Sequence, residues 1–324
     1  MRVVISGGTG LIGSALARRL RALGHEVVIL TRGATGGPTG TAAGAAAGEG
    51  ADGGGGLLRY LSWTAKPVAP GDPRPGWWEA VAGAGAVVNL AGESIAAGRW
   101  TPRQKERIRE SRIQATRALV QAIEAAEPRP AVLVSGSAVG YYGPRGDEVI
   151  DEEAPPGDDF LSRVCVDWEA EARKAGAAGV RVVLVRTGLV LAREGGALPR
   201  LVLPFRLGAG GPLGHGRQWV PWIHLDDLVA LLVFLIETPG LEGPFNGTAP
   251  EPVTSRDLAR ALGRVLRRPS WLPAPAFALR LALGEMADAL LLSGQRAVPR
   301  RAREAGFRFR FPEVEPALQD LLDR

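Results

Sequence analysis

Apolar positions along this chain fall into short β-branched runs separated by helical stretches, and the first run sets the theme. Val3–Ser6 reads as a buried strand, Gly7-Gly8-Thr9-Gly10-Leu11-Ile12-Gly13 as a turn, the next stretch as a helix to about Leu23, and Glu26–Thr31 as a second strand. Strand, glycine turn, helix and strand are the opening of a parallel nucleotide-binding sheet. Further strands are expected at Leu57–Leu61, Ala86–Leu90, Ala131–Ser135 and Arg181–Arg186, with a short helix around Trp77–Val81. Thr101-Pro102-Arg103-Gln104 starts a helix that runs to about Ala125. Thr suits the cap, Pro the first helical position, and Gln can reach back to the cap. Another helix covers about 160–175. This alternation predicts an α/β fold, a Rossmann-type parallel sheet with helices on both faces.

After Leu191 the pattern is less regular. Gly208–Gly216 is glycine-rich and reads as a loop, while helices are expected at Leu228–Ile236, begun near Asp226 or Asp227, at Thr254–Leu266, at 276–292 and at 313–322. The expected division is a cofactor domain over 1–190 and a smaller, mixed and largely helical C-terminal substrate region over 191–324, with 220–250 contributing elements back to the core. Residues 33–56 are almost all Gly, Ala and Thr and read as a flexible insertion.

Composition narrows the class. The chain has 324 residues, 46% apolar and 23% charged, enough to bury a core. Its longest apolar run is Leu228–Ile236, far short of the roughly 18–20 residues that span a bilayer. The N-terminus, interrupted by glycines, lacks the apolar stretch of a secretion signal, so a cytoplasmic location and no membrane partner are expected. The net charge of +5 is small and spread along the chain, which argues against a nucleic-acid partner. The single cysteine, Cys165, permits no internal disulfide, and His25, His215 and His224 stand apart in sequence, so no metal is expected.

The glycine turn carries the clearest chemistry. Gly7 supplies the tight turn, Gly10 leaves room for a pyrophosphate beside the backbone, and Gly13 permits close helix packing; Thr9, Leu11 and Ile12 complete the turn and the first helical residues. At the end of the second strand, Thr31-Arg32 offers a guanidinium suited to a ribose 2′-phosphate where an acid would favour a free hydroxyl. NADP(H) is therefore preferred, with NAD(H) the alternative. Asn89-Leu90-Ala91-Gly92, at the end of a later strand, is placed to line the nicotinamide side, with Glu93 following.

Together with the turn, the segments Asn89–Ile95, Arg99-Trp100-Thr101, Ser111-Arg112, Ser135–Gly143, Trp168-Glu169, Pro204-Phe205, Gly210–Gly214, Pro221–His224 and Gly294–Arg300 resemble an atypical extended short-chain dehydrogenase/reductase. More narrowly, they resemble the NAD-dependent epimerase/dehydratase-like family with a small C-terminal domain. The resemblance implies a bound dinucleotide and hydride transfer, with a Ser or Thr polarising a substrate oxygen and a Tyr, assisted by a Lys four residues on, exchanging its proton. Ser137 occupies the serine neighbourhood, but the matching Tyr and Lys positions fall on Leu161 and Cys165. Leucine donates no proton and a thiol supplies no ammonium.

Replacements are sought in Tyr141 or Tyr142, just past the strand carrying Ser137, in Glu93, or in Cys165 itself. Each has a structural rival: packing, loop support or a buried cysteine. His224 is expected at a domain junction, with the acids after it capping a helix. Two functional readings follow. One is an NADP(H)-dependent oxidoreductase or nucleotide-sugar-epimerase-like enzyme acting on a small polar substrate; the other is a catalytically silent NADP(H)-binding sensor or scaffold. The chain is expected as a monomer or as a homodimer paired through the helix carrying Ile108, Ala115, Leu119 and Ile123.

Overall fold

The computed structural model describes residues 1–32 and 56–323. All but the last residue of the insertion expected at 33–56 lies outside them. Seven strands form one sheet: β1 (Arg2–Ser6), β2 (Glu26–Thr31), β3 (Leu58–Ser62), β4 (Ala86–Asn89), β5 (Val132–Ala138), β6 (Arg181–Thr187) and β7 (Gly243–Gly247). Their order is β7-β6-β5-β4-β1-β2-β3, and every pair is parallel. A parallel sheet needs cover on both faces, which is why its strands read as continuous apolar runs. The order reverses between β1 and β4, and ligands of such sheets bind beyond the carboxyl ends of the strands at that point.

Alternate residues of each strand divide between the two layers. Val3, Ile5, Val27, Ile29, Val88, Val134 and Val185 face α1 (Leu11–Ala22) and a later helix, whereas Val4, Val28, Val87, Leu133 and Leu184 face α2 (Trp78–Val81) and α3 (Pro102–Glu124). The apolar side of α3 is spent here. Ile108, Ala115, Leu119 and Ile123 are fully buried and supply no pairing face for a second copy. Its N-terminus forms half of the expected capping box. The Gln104 backbone N–H donates to Thr101 Oγ1 at 3.2 Å, but the Thr101 N–H donates to Arg99 O at 3.0 Å and the Gln104 Nε2 has no partner among the described residues.

Helix α4 (Phe160–Arg173) begins at Asp159, whose carboxylate accepts from the Ser162 N–H at 2.8 Å. Two helices then depart from the sequence reading. α5 (Leu198–Arg206) forms where no helix was expected, with Pro199 near its start and Pro204 inside it. α6 (Leu225–Glu237) is capped by His224 rather than by the following acids: His224 Nδ1 accepts from the Asp226 N–H at 3.0 Å. Asp227 instead receives the N–H groups of Arg310 and Phe311, both at 2.8 Å, and ties the C-terminal segment to α6. The ring of His224 stacks on Phe311 at 4.1 Å.

α7 (Ser255–Leu266) forms as its pattern predicts, with Thr254 Oγ1 accepting from the Asp257 N–H. The helix expected over 276–292 is broken. α8 (Ala276–Leu283) stops at Gly284, at φ +64°, and a short turn and a wider helical turn over Asp288–Leu292 follow. A smaller core of Leu191, Val202, Phe205, Trp222, Leu258, Leu262, Leu318 and Leu321 joins α5, α7 and the C-terminal helix Val314–Leu322. Among the described residues no helix is long and apolar enough to cross a membrane.

Candidate functional site

The turn after β1 is built by close backbone approach. Gly7 has φ +72°, and a Cβ there would lie 2.6 Å from the carbonyl carbon and oxygen of Leu90, so the turn rests directly on the chain leaving β4. A Cβ on Gly13 would lie 2.3 Å from Gly7 O, which shows the first helical turn packed on the glycine turn itself rather than on the sheet. Gly10 differs: a Cβ there would meet only Gly7 O, at 3.3 Å, and its other side is open. Gly8, which the motif reading passed over, also needs its missing side chain, because Ile29 lies 2.8 Å from that position.

Helix α1 begins at Gly10 with no side-chain cap and no acid in its first turn. Its free N–H groups and positive end thus face the open side of the turn, where an anion is favoured. Thr9 is exposed there, and Leu11 and Ile12 are half-buried. Leu11 also touches a second glycine turn, approaching within 3.1 Å of the Cβ position of Gly196. These features fit a dinucleotide pyrophosphate. Arg32 is exposed at the end of β2, beside Thr31.

Asn89 does not itself line a cleft. It is fully buried, accepts from Ser6 Oγ at 2.8 Å and donates to Thr116 Oγ1 at 2.8 Å, locking β1, β4 and α3 together. Leu90, Ala91 and Gly92 continue from it past the sheet. Glu93 is held by Arg107 at 3.0 Å, while its N–H donates to Ser111 Oγ at 2.9 Å. Beneath this loop lies Arg112, one of the residues that carry the family resemblance. Its guanidinium donates to the carbonyls of Glu93 and Ile108 and sits 5.2 Å from the centroid of the Trp168 ring. Burial pulls its pKa down.

Four of the five residues nominated for proton chemistry, Ser137, Tyr141, Tyr142 and Cys165, gather around β5, α4 and β6; the fifth, Glu93, is held apart by Arg107. Ser137 Oγ donates its only proton to Glu169 Oε1 at 2.8 Å. Arg186 grips the same carboxylate with two hydrogen bonds, 2.8 Å from Nε and 2.9 Å from Nη2, and both side chains are only 2% exposed. Arg186 Nη1 also donates to the hydroxyl of Tyr142 at 3.0 Å, and that hydroxyl donates to Asn246 Oδ1 at 2.7 Å. Burial pushes the Tyr142 phenol up to about 12.

The Cys165 thiol is also pushed up by burial, to about 11, with the Glu169 carboxylate adding to the rise; it points to the Ala138 carbonyl at 3.7 Å. Tyr141 is different. It is half-buried, and the Arg186 guanidinium lies 3.4 Å over its ring centroid. Arg186 was missed as a functional residue, although a cation amid the apolar residues of β6 is a visible signal of a buried partner. Among the described residues no three acidic, histidine or cysteine side chains gather as a metal site.

Comparison with known proteins agrees with this geometry. Residues 3–246 match the NAD dependent epimerase/dehydratase family, and residues 274–321 match a domain of unknown function, DUF1731. The chain is similar to the chloroplastic SDR39U1 homolog of Arabidopsis thaliana, an epimerase family protein, with 42% identity over 99% of this chain and 87% of that protein. It is 38% identical to Epimerase family protein YfhF of Bacillus subtilis, over 99% of this chain and 98% of that one. Among solved structures, human epimerase family protein SDR39U1 with NADPH superposes with a TM-score of 0.84 at 36% identity, over 100% of both chains. MoeE5 with UDP-glucuronic acid and NAD gives 0.75 at 19% identity, over 99% of this chain and 98% of that one, a likeness of fold.

Proposed function

Because the chain belongs to the NAD dependent epimerase/dehydratase family, we propose that it is an NADP(H)-dependent oxidoreductase or epimerase-like enzyme acting on a small polar carbonyl or alcohol. The observation that carries this reading is the turn after β1, closed by Gly7 and Gly13 yet open beside Gly10 at an uncapped helix end. In this proposal the N–H groups of that turn hold the pyrophosphate, Arg32 meets the 2′-phosphate, and the backbone of Leu90–Gly92 flanks the nicotinamide. Residues 1–190 carry the cofactor, and 191–324 close over the substrate.

When bound, the nicotinamide supplies or accepts hydride at C4. The chain must then move one proton at the substrate oxygen. Ser137 has committed its proton to Glu169, Tyr142 is held between Arg186 and Asn246, and the Cys165 thiol is held protonated. Glu93 is ion-paired with Arg107, so Tyr141 is the remaining nominee; we assign it the proton, with Arg186 fixing its ring. NADPH deuterated at C4, incubated with the protein and a metabolite extract, should lose its label. Tyr141→Phe should abolish that exchange while NADPH titration is unchanged.

A second reading rests on the same network. Four of the five nominated groups, Ser137, Tyr142, Cys165 and Glu93, have partners within the protein, as expected of a sensor that binds NADP(H) without turnover. Tight NADPH binding with no label exchange would favour it, and failure to bind either dinucleotide would remove both readings.

A further inference from the structure

Large apolar side chains are exposed together in the C-terminal region: Leu203 and Leu207 at α5, Trp271 and Leu272 in the segment leaving α7, and Phe277 and Leu281 on α8. Leu207 and Trp271 are each 74% exposed, Phe277 72% and Leu281 77%. Backbone hydrogen bonds tie the stretch after Trp271 to the loop after α5. Leu272 N–H donates to Gly210 O at 3.1 Å, Ala274 N–H to Pro212 O at 2.9 Å and Gly214 N–H to Ala274 O at 2.9 Å. The segment before α8 is thus laid along the loop that leaves α5, and it runs straight into α8.

None of the residues of α8 is buried. Phe277 and Leu281, four apart, share one face. A helix this short is marginal in water and normally owes its stability to an apolar face packed on something. Here Ala276, Ala278, Leu279 and Leu283 are half-buried on the opposite side, and polar ties add to them: Arg99 Nη2 donates to Leu281 O at 2.7 Å, Arg280 pairs with Asp288 at 2.9 Å, and Lys105 pairs with Glu285 at 2.6 Å.

Charge selects what covers this face. Arg200 and Arg206 flank Leu203 and Leu207, and Arg267 and Arg268 precede Trp271; all four are exposed. The ion pairs of the region join Arg260 to Asp257, Arg264 to Glu315 and Arg280 to Asp288, leaving those four arginines without one among the described residues. A second copy would set like charges against each other. Apolar and aromatic side chains among unpaired arginines match the boundary of an anionic bilayer.

We infer that this face docks on the surface of a bilayer carrying anionic lipids, with Trp271, Phe277 and Leu281 entering the headgroup boundary and Arg206, Arg267 and Arg268 meeting lipid phosphates. Docking on a bilayer surface needs no membrane-spanning run, so the shortness of the apolar runs does not oppose it. The inference stands apart from the proposed hydride transfer.

The test is sedimentation of the full chain with vesicles of equal parts phosphatidylglycerol and phosphatidylcholine, beside vesicles of phosphatidylcholine alone. Binding to the mixed vesicles is expected, falling with added salt and far weaker on phosphatidylcholine. Arg267→Ser with Arg268→Ser should lower partition about 25-fold, roughly fivefold per arginine. Trp271→Ser with Phe277→Ser and Leu281→Ser should abolish it, with thermal unfolding followed by circular dichroism unchanged. No sedimentation with the mixed vesicles would overturn the inference, as would binding that survives the triple substitution. So would a dimer, seen by light scattering, that Leu281→Asp splits, because a second copy would then be the occupant.

Discussion

The turn between β1 and α1 and the corner where β5, α4 and β6 meet lie at the same edge of the sheet, yet they treat polar groups in opposite ways. In the turn, glycines bring backbone against backbone until the helix N-terminus stands open with its N–H groups uncapped. In the corner, Glu169 accepts hydrogen bonds from Ser137, Arg186 and Arg173, and the Tyr142 hydroxyl is satisfied on both sides. One region is completed only from outside, whereas the other is complete in itself. Cofactor binding at the turn and the polar network at the corner are therefore separable, and a change in either region should affect the other little.

The largest expected effect is on stability at the closed corner. Glu169→Gln leaves the Arg186 cation buried without its carboxylate, and a loss of about 3–5 kcal/mol is expected in urea unfolding. Cofactor titration of the folded fraction should stay near that of the unsubstituted chain; a parallel loss of NADPH affinity would mean that the two regions are one. Gly13→Ala should act on the turn and, through it, on the cofactor. Its Cβ meets Gly7 O, so the turn must open, at a stability cost of about 1–3 kcal/mol. NADPH affinity should fall about tenfold for each 1.4 kcal/mol passed to the bound state.

Arg32→Ser sharpens the comparison from the ligand's side. A charge-assisted hydrogen bond contributes about 1.5–3 kcal/mol, so NADPH should weaken roughly 10- to 100-fold while NADH changes little, as read by fluorescence titration. The smallest effect lies outside both regions. Burial lowers the pKa of His224 below its ordinary 6.5. The unfolded chain then binds the extra proton first, so the contribution of His224 is full above about pH 6.5 and is lost as pH falls below it. His224→Asn, which retains a capping side chain, should flatten that part of the stability profile in thermal melts.

Much of this was legible in the sequence because local and global signals agreed. The β-branched runs became strands β1, β2, β4, β5 and β6 within a few residues, and the glycine spacing marked the turn. The signals failed where tertiary contact overrode propensity. Strand β7, Gly-Pro-Phe-Asn-Gly, has a poor strand composition and exists because β6 offers it an edge to pair with. Helix α5 was hidden by its prolines, and Gly284 broke a run that looked continuous. At the site, Ser137, Tyr141, Tyr142 and Cys165 were found as neighbours. Their roles could not be read, because Glu169, Arg186 and Asn246 reach them from elements far apart in sequence and decide which hydroxyls remain free.

One consequence concerns the order in which the protein is made. The short strand Val149–Ile150 pairs with Arg296–Ala297, Asn246 Nδ2 donates to Val298 O, and Glu152 accepts from the N–H of Arg301, 149 residues downstream. Contacts this distant in sequence form late. A nascent chain that has emerged through Gly247 already holds every strand of the main sheet, but Glu152 and Asn246 still lack their C-terminal partners. Emergence of the segment through Arg301 thus closes this part of the fold, and a chain truncated short of Arg301 keeps a buried Glu152 that is incompletely paired, a target for chaperones and proteases.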